Sequence, residues 1–244
     1  MEKKRLRIFA GPNGSGKTTI IQDLRDKIPF GAYVNADDIE ASLRINRELD
    51  ISAYGLEINT DAVQEFLKHS TFSPIKTQNP KLWTSFIIEN NRLEILPGIS
   101  VNSYLAADIA EFLRQQLLMA GKSFTCETVM SHEGKLNMME DAKKAGYRVY
   151  LYYIATDDPE ININRVSIRV ALEGHNVSPE IISNRYYKSL THLKKAIQLS
   201  DRAYLFDNSG SVSKLLAEVT DGLEVSLVVE NELLPNWFIK YVAE

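Results

Sequence analysis

Gly11-Pro12-Asn13-Gly14-Ser15-Gly16-Lys17-Thr18 is the stretch on which the fold turns. It matches G-x-x-x-x-G-K-[ST], a spacing in which each fixed position has a physical duty. Glycines let backbone N–H groups curl around phosphate oxygens, and the helix that follows adds the positive end of its dipole. Lys17 reaches the β and γ phosphates, and the Thr18 hydroxyl is placed for Mg²⁺. Four such positions arise by chance in a chain this long on the order of once in a hundred, and the flanks make coincidence rarer. Leu6 to Ala10 is a short apolar run, and Lys17 to Ile28 carries Ile20, Ile21, Leu24 and Ile28 at helical spacing. The predicted unit is strand, glycine loop, helix.

Working outward, a short strand at Ala32 to Asn35 leads into Ala36-Asp37-Asp38, with helical patterns at Ile39 to Leu43 and Thr60 to Lys68. From Thr71 to Val101 the breakers Ser73-Pro74, Asn79-Pro80 and Pro97-Gly98 frame two apolar runs, which fit a hairpin around Glu89-Asn90-Asn91. Beyond it the pattern predicts a helix over Ala106 to Met119, a strand at Phe124 to Val129, a helix over Glu133 to Lys144 and a β-prone run at Arg148 to Ile154. Helices over about 160–172 and 179–199 precede a strand at Tyr204 to Phe206, and the tail from Leu215 to Val242 has mixed apolar runs without a clear period. Alternating strands and helices call for a parallel sheet with helices on both faces. The expected fold class is α/β, a P-loop NTPase of the kinase type with strand order 2-3-1-4-5. One domain over 1–244 is expected, with an insertion at about 45–100.

Composition narrows the function classes. Hydrophobic residues make up 44% and charged residues 25% of the 244, the balance of a globular protein with one substantial core. A net charge of −4 supplies no basic footprint for nucleic acid. No run approaches the roughly 20 apolar residues of a membrane span, and Ile8-Phe9-Ala10 is too short for a signal segment. A cytosolic protein is expected. The single Cys126 reads as a core residue, and no His or Cys spacing suggests zinc.

Ligands in open parallel sheets bind outside the carboxyl ends of strands, where Asp37 and Glu127 also fall. Asp37 can accept a proton from a substrate hydroxyl, with helix capping as its structural alternative, shared with Asp38. Glu127 interrupts an apolar strand, where a carboxylate needs pairing, hydrogen bonds or a cation nearby, unless it is a surface group at the strand end. Arg165 and Arg169 are four apart and face the same way on a helix. With Arg185 and the Glu173-Gly174-His175-Asn176 turn they fit a lid over transferring phosphate, against the alternative of solvated arginines on a surface helix. His175 is either a turn residue or part of the acceptor site.

Three segments together, residues 11–19, Val34-Asn35-Ala36-Asp37-Asp38-Ile39 and Arg165 to Pro179 with Arg185, resemble the zeta toxin family of P-loop kinases, in the branch widespread in Gram-negative bacteria. Phe124 to Ser131 is similar to the family strand bearing a substrate-site glutamate, and Pro235-Asn236-Trp237 to a recurring tail feature. The similarity spans roughly 1–40 and 105–240. It implies an ATP- or GTP-dependent kinase with adenylate-kinase-like topology that phosphorylates the 3-hydroxyl of the sugar in UDP-N-acetylglucosamine and so starves cell-wall synthesis. An antitoxin protein is the implied partner. The implied roles are Asp37 as base, with Lys17 and Arg169 stabilising charge, and Gly11, Asn13, Gly14, Ser15, Gly16, Lys17, Thr18, Thr19, Arg165 and Arg185 on the nucleotide. Glu127, Thr128 and His175 face the acceptor, and Thr18 holds Mg²⁺. Two other readings remain: a metabolic nucleoside or sugar kinase without toxicity, and a nucleotide-gated interaction module with little turnover.

Overall fold

Leu6, Ile8, Phe9 and Ala10 are all fully buried, which is what a central parallel strand covered on both faces requires. In the computed structural model, which describes residues 3–70, 79–171 and 177–243, this run is strand β1 (Arg5–Ala10). Helix α1 (Lys17–Arg25) follows the glycine loop and stops short of the expected Ile28. Pro29 disfavours helical backbone at the residue before it, so the chain leaves the helix early.

The chain divides into two compact units, Met1–Phe30 with Thr125–Glu244, and Gly31–Phe124. In the first, β1 pairs in parallel with β7 (Arg148–Ala155), and β7 in parallel with β8 (Arg202–Asp207). Strand β6 (Phe124–Thr128) lies on the other side of β1, so the order β6-β1-β7-β8 reproduces the 3-1-4-5 part of the expected sheet. Register places Phe9 opposite Tyr152 and Tyr152 opposite Tyr204. Their rings stack at 4.5 and 5.0 Å, and Phe30 closes the row at 5.6 Å from Phe9. Burial pushes the Tyr152 phenol up to about 12.

The sheet departs from the all-parallel expectation at its far edge. Strands β9 (Lys214–Thr220) and β10 (Glu224–Leu227) continue it antiparallel, filling the tail that periodicity left open. The connection from Asp207 to Lys214 is too short for a crossover helix, so only a hairpin is available. Asp221 and Gly222 both take positive φ, 51° and 71°, which turns the chain between β9 and β10. Helices α5 (Gly134–Lys144), α6 (Pro159–Ala171) and α7 (Pro179–Gln198) complete this unit, with Ser178 capping α7.

The second unit holds β2 (Ala32–Val34), α2 (Ala36–Ile45), α3 (Thr60–His69) and α4 (Ser103–Met119). Its hairpin of β4 (Phe86–Glu89) and β5 (Arg92–Ile95) turns through Asn90 and Asn91, both at positive φ, as the breakers predict. Strand β3 (Glu48–Asp50), not foreseen, adds to β5 antiparallel. The helices start earlier than periodicity indicates because asparagines cap them. Asn35 accepts from Asp37 N at 2.9 Å, and Asn102 accepts from Tyr104 N and Leu105 N at 3.1 and 3.0 Å. Among the described residues no helix is long and apolar enough to cross a membrane.

Candidate active site

The loop leaves β1 at Gly11, whose N–H donates to Thr128 O of β6 at 3.2 Å. At φ 143° a Cβ here would lie 2.0 Å from Ile154 O, so the chain passes against β7 where only glycine fits. The loop then closes on itself through Ser15 N to Pro12 O at 3.2 Å, and Gly16, left-handed at φ 93°, opens α1. First-turn N–H groups of a helix have no partner within it, which makes this end an anion site.

Two side-chain atoms of the loop, Asn13 Oδ1 and Ser15 Oγ, are buried without a hydrogen-bond partner among the described residues. Buried polar atoms left so are rare and fit a loop shaped for a polar guest. Lys17 is nearly buried; its Nζ donates to Gly11 O at 2.9 Å and Pro12 O at 3.0 Å and stands 3.8 Å from Glu127 Oε1. The ammonium therefore rests on the loop's own carbonyls, with the carboxylate of the β6 end as counter-charge. Sequence reasoning has the lysine reaching the phosphates; the structure gives it a retracted seat. Thr18 and Thr19 are exposed on the first turn of α1.

Glu127 and Thr128 are half-buried at the end of β6, and Thr128 Oγ1 accepts from Met130 N at 3.0 Å. Met130 itself is buried at φ 57°, an unusual left-handed conformation for a side chain of this size, and its carbonyl lies 3.0 Å from His192 Nδ1. Arg165 is half-buried on α6, donating from Nη1 to Asn208 O at 2.8 Å and from Nη2 to Gly210 O at 3.0 Å. Arg169 is exposed one turn on, and Arg185 is half-buried on α7. His175 lies outside the described residues, as do Glu173, Gly174 and Asn176. Asp37 belongs to the second unit, exposed in the first turn of α2 beside Asp38; the cap of that helix is Asn35 and not either aspartate.

Beside the start of α1, in the first unit, opens a pocket of about 680 Å³ lined by Gly16, Thr19, Asp23, Arg165, Phe206 and Val212 among others. Its size falls in the range of small-molecule sites. Two residues on which the sequence is silent brace the loop. Asn162 of α6, fully buried, donates from Nδ2 to Asn13 O at 2.6 Å, and Asn208, just past β8, donates from Nδ2 to Ser15 O at 2.8 Å.

Residues 100–218 match the family model described as Zeta toxin. A Haemophilus influenzae protein described as an uncharacterized protein is 35% identical over 63 residues, which is 26% of this chain and 45% of that one. The matched region thus spans less than half the length of that relative. Among solved structures, the PezAT chromosomal toxin–antitoxin system of Streptococcus pneumoniae superposes with TM-score 0.53 at 15% identity, over 93% of this chain and 76% of that one. The AvrRxo1-ORF1:-ORF2 complex with ATP gives TM-score 0.50 at 15% identity, over 93% of this chain and 61% of that one. At such identity the likeness is one of fold. The match over residues 100–218 and the shared fold bear out a resemblance to zeta toxins: the chain is similar to that family over this stretch and has the α/β fold of P-loop, kinase-type proteins.

Proposed function

We propose that this protein is a phosphotransferase that takes the γ-phosphate of ATP or GTP and delivers it to an alcohol group of a small acceptor. The observation that carries the reading is the loop at 11–18: three glycines at positive φ, two orphaned polar atoms and a lysine at the mouth of a helix N-terminus. This combination fits a polyphosphate. Lys17 exchanges the carbonyls of Gly11 and Pro12 for phosphate oxygens, and Arg169 and Arg185 spread charge from the transferring group. The pocket beside Gly16 and Arg165 takes the nucleoside. The exposed Thr18 hydroxyl is a hard oxygen donor of the type Mg²⁺ accepts alongside phosphate oxygens and water. When bound there, Mg²⁺ neutralises charge on the β and γ phosphates.

For the acceptor, the resemblance to zeta toxins supports a nucleotide sugar, UDP-N-acetylglucosamine first, with Glu127, Thr128 and His175 on the acceptor side and Asp37 as the base. A toxin so directed inhibits cell-wall synthesis and is paired with an antitoxin; solved relatives described as a toxin–antitoxin system support that partner. The test is Asp37→Asn. Asn35 provides the cap of α2, so the variant keeps its helix, melts within a few degrees of the parent and still binds Mg-ATP. It loses at least ~10²-fold in phosphorylation of UDP-N-acetylglucosamine, while Asp38→Asn loses far less. Full activity in Asp37→Asn refutes the base assignment.

A further inference from the structure

We infer that Asn162 and Asn208 are positioning residues that set the direction of two phosphate-loop N–H groups, and that Asn236 and Trp237 of the tail secure the strand ends that carry them. This rests on the reading of residues 11–18 as a phosphate site. A trans peptide is planar, with its C=O and N–H pointing to opposite sides. Fixing the carbonyl of Asn13 therefore fixes the N–H of Gly14, and fixing that of Ser15 fixes the N–H of Gly16. Asn162 Nδ2 and Asn208 Nδ2 hold these two carbonyls at 2.6 and 2.8 Å. Each carbonyl is thereby turned toward its brace, and the N–H that shares its peptide plane points the opposite way. A carbonyl that swung the other way would present a negative dipole to the phosphate.

The glycines of the motif admit these braces. A Cβ on Gly14 would lie 2.6 Å from Asn162 O, and one on Gly16 would lie 2.0 Å from Asn208 Nδ2. The braces are in turn held. Asn162 Oδ1 accepts from the Thr156 hydroxyl, Thr156 O accepts from Tyr186 Oη at 2.6 Å, and Asn208 N donates to Ala155 O at 2.8 Å. Immediately beside Thr156 and Asn208 stand Asp157 and Asp207, and the tail grips both. Asp157 accepts from Trp237 N at 3.2 Å and from Asn236 Nδ2 at 3.0 Å, and Asp207 accepts from Trp237 Nε1 at 3.0 Å. Ser209 Oγ links the two ends, donating to Asp207 Oδ1 at 2.7 Å and accepting from Asp157 N at 2.9 Å. Trp237 is 2% exposed, so its indole bond to the half-buried Asp207 is partly shielded from water, whereas Asp157 and Asn236 meet at the exposed surface.

The experiment is a titration of glycine-labelled protein with ADP, followed by amide NMR; the chain has only 12 glycines. In the parent, the Gly14 and Gly16 amide protons move downfield as ADP binds. In Asn208→Ala the Gly16 response is lost and ADP affinity falls roughly tenfold, the scale of one well-placed hydrogen bond. Asn162→Ala does the same to Gly14. Trp237→Phe keeps a smaller aromatic ring but removes the Nε1 donor to Asp207; it weakens both responses and lowers ADP affinity about threefold. Adenosine, which has no phosphate, binds Asn162→Ala and Trp237→Phe as it binds the parent, and loses less affinity than ADP in Asn208→Ala, whose residue also lines the pocket beside α1. Asn208 is the less buried brace, so its variant serves if Asn162→Ala does not fold. Unchanged Gly16 response and ADP affinity within twofold in Asn208→Ala overturn the inference, as does an equal loss for adenosine and ADP. A parent that binds no ADP at all removes the underlying phosphate-site reading instead.

Discussion

Gly11→Ala is the substitution whose cost follows most directly from the coordinates. The added methyl carbon would sit 2.0 Å from Ile154 O, about 1 Å inside any real contact, and the obstacle is main chain near the carboxyl end of β7. Neither side can give cheaply, because β7 is hydrogen-bonded on both edges, to β1 and β8. Overpacking of this kind costs about 1 to 3 kcal/mol, and holding an L residue at φ 143° about 1 to 3 more. Lower chain entropy in the unfolded state returns under 1 kcal/mol. The net expectation is about 2 to 5 kcal/mol, a large part of a typical domain's stability. Urea denaturation measures it, with Gly146→Ala as control, since that glycine has positive φ but nothing within 4 Å of its Cβ. The control should lose only about 1 to 2 kcal/mol. Equal losses in the two variants would refute the claim that close approach to β7, and not φ alone, demands glycine at position 11.

Arg169→Ala should lower turnover more than nucleotide affinity if, as proposed, this exposed arginine on α6 acts on developing charge; steady-state kinetics beside equilibrium binding separates the two, and a larger loss in binding would mark a ground-state clamp. The contribution of the buried tyrosines to stability should be constant below about pH 10 and then fall as pH rises toward 12. Tyr54, Tyr147 and Tyr152 are each pushed up to about 12 chiefly by burial, so unfolded chains lose these protons first. Melting temperature against pH, read beside the ultraviolet signal of phenolate, checks this; melting that is unchanged at pH 11 contradicts it.

What the sequence makes legible is what local pattern controls. The apolar run into a glycine motif and the helix behind it are one local unit, and the structure builds them there. The Asn90-Asn91 turn was likewise readable, because both residues tolerate positive φ. The short strand β3 was not, since three residues carry no period, and the antiparallel pair β9 and β10 was missed although Asp221-Gly222 is a recognised hairpin signal. Helix starts slipped by up to three residues where Asn35 and Asn102, not the first apolar residue, begin the helix. At the site, Asn162 and Asn208 meet the loop across 149 and 193 residues of chain, and nothing near either in sequence marks it as a brace. The retracted seat of Lys17 is equally non-local, because Glu127 faces it from another strand.

The central claim is phosphoryl transfer, and the measurement closest to it follows γ-labelled ATP through an extract of small metabolites. The parent protein should move label into one new compound, identified by mass as a phosphorylated nucleotide sugar. Lys17→Ala, folded but missing the ammonium beside the loop, should leave that compound unformed. Label confined to ATP and free phosphate, or the same product made by Lys17→Ala, would contradict the account.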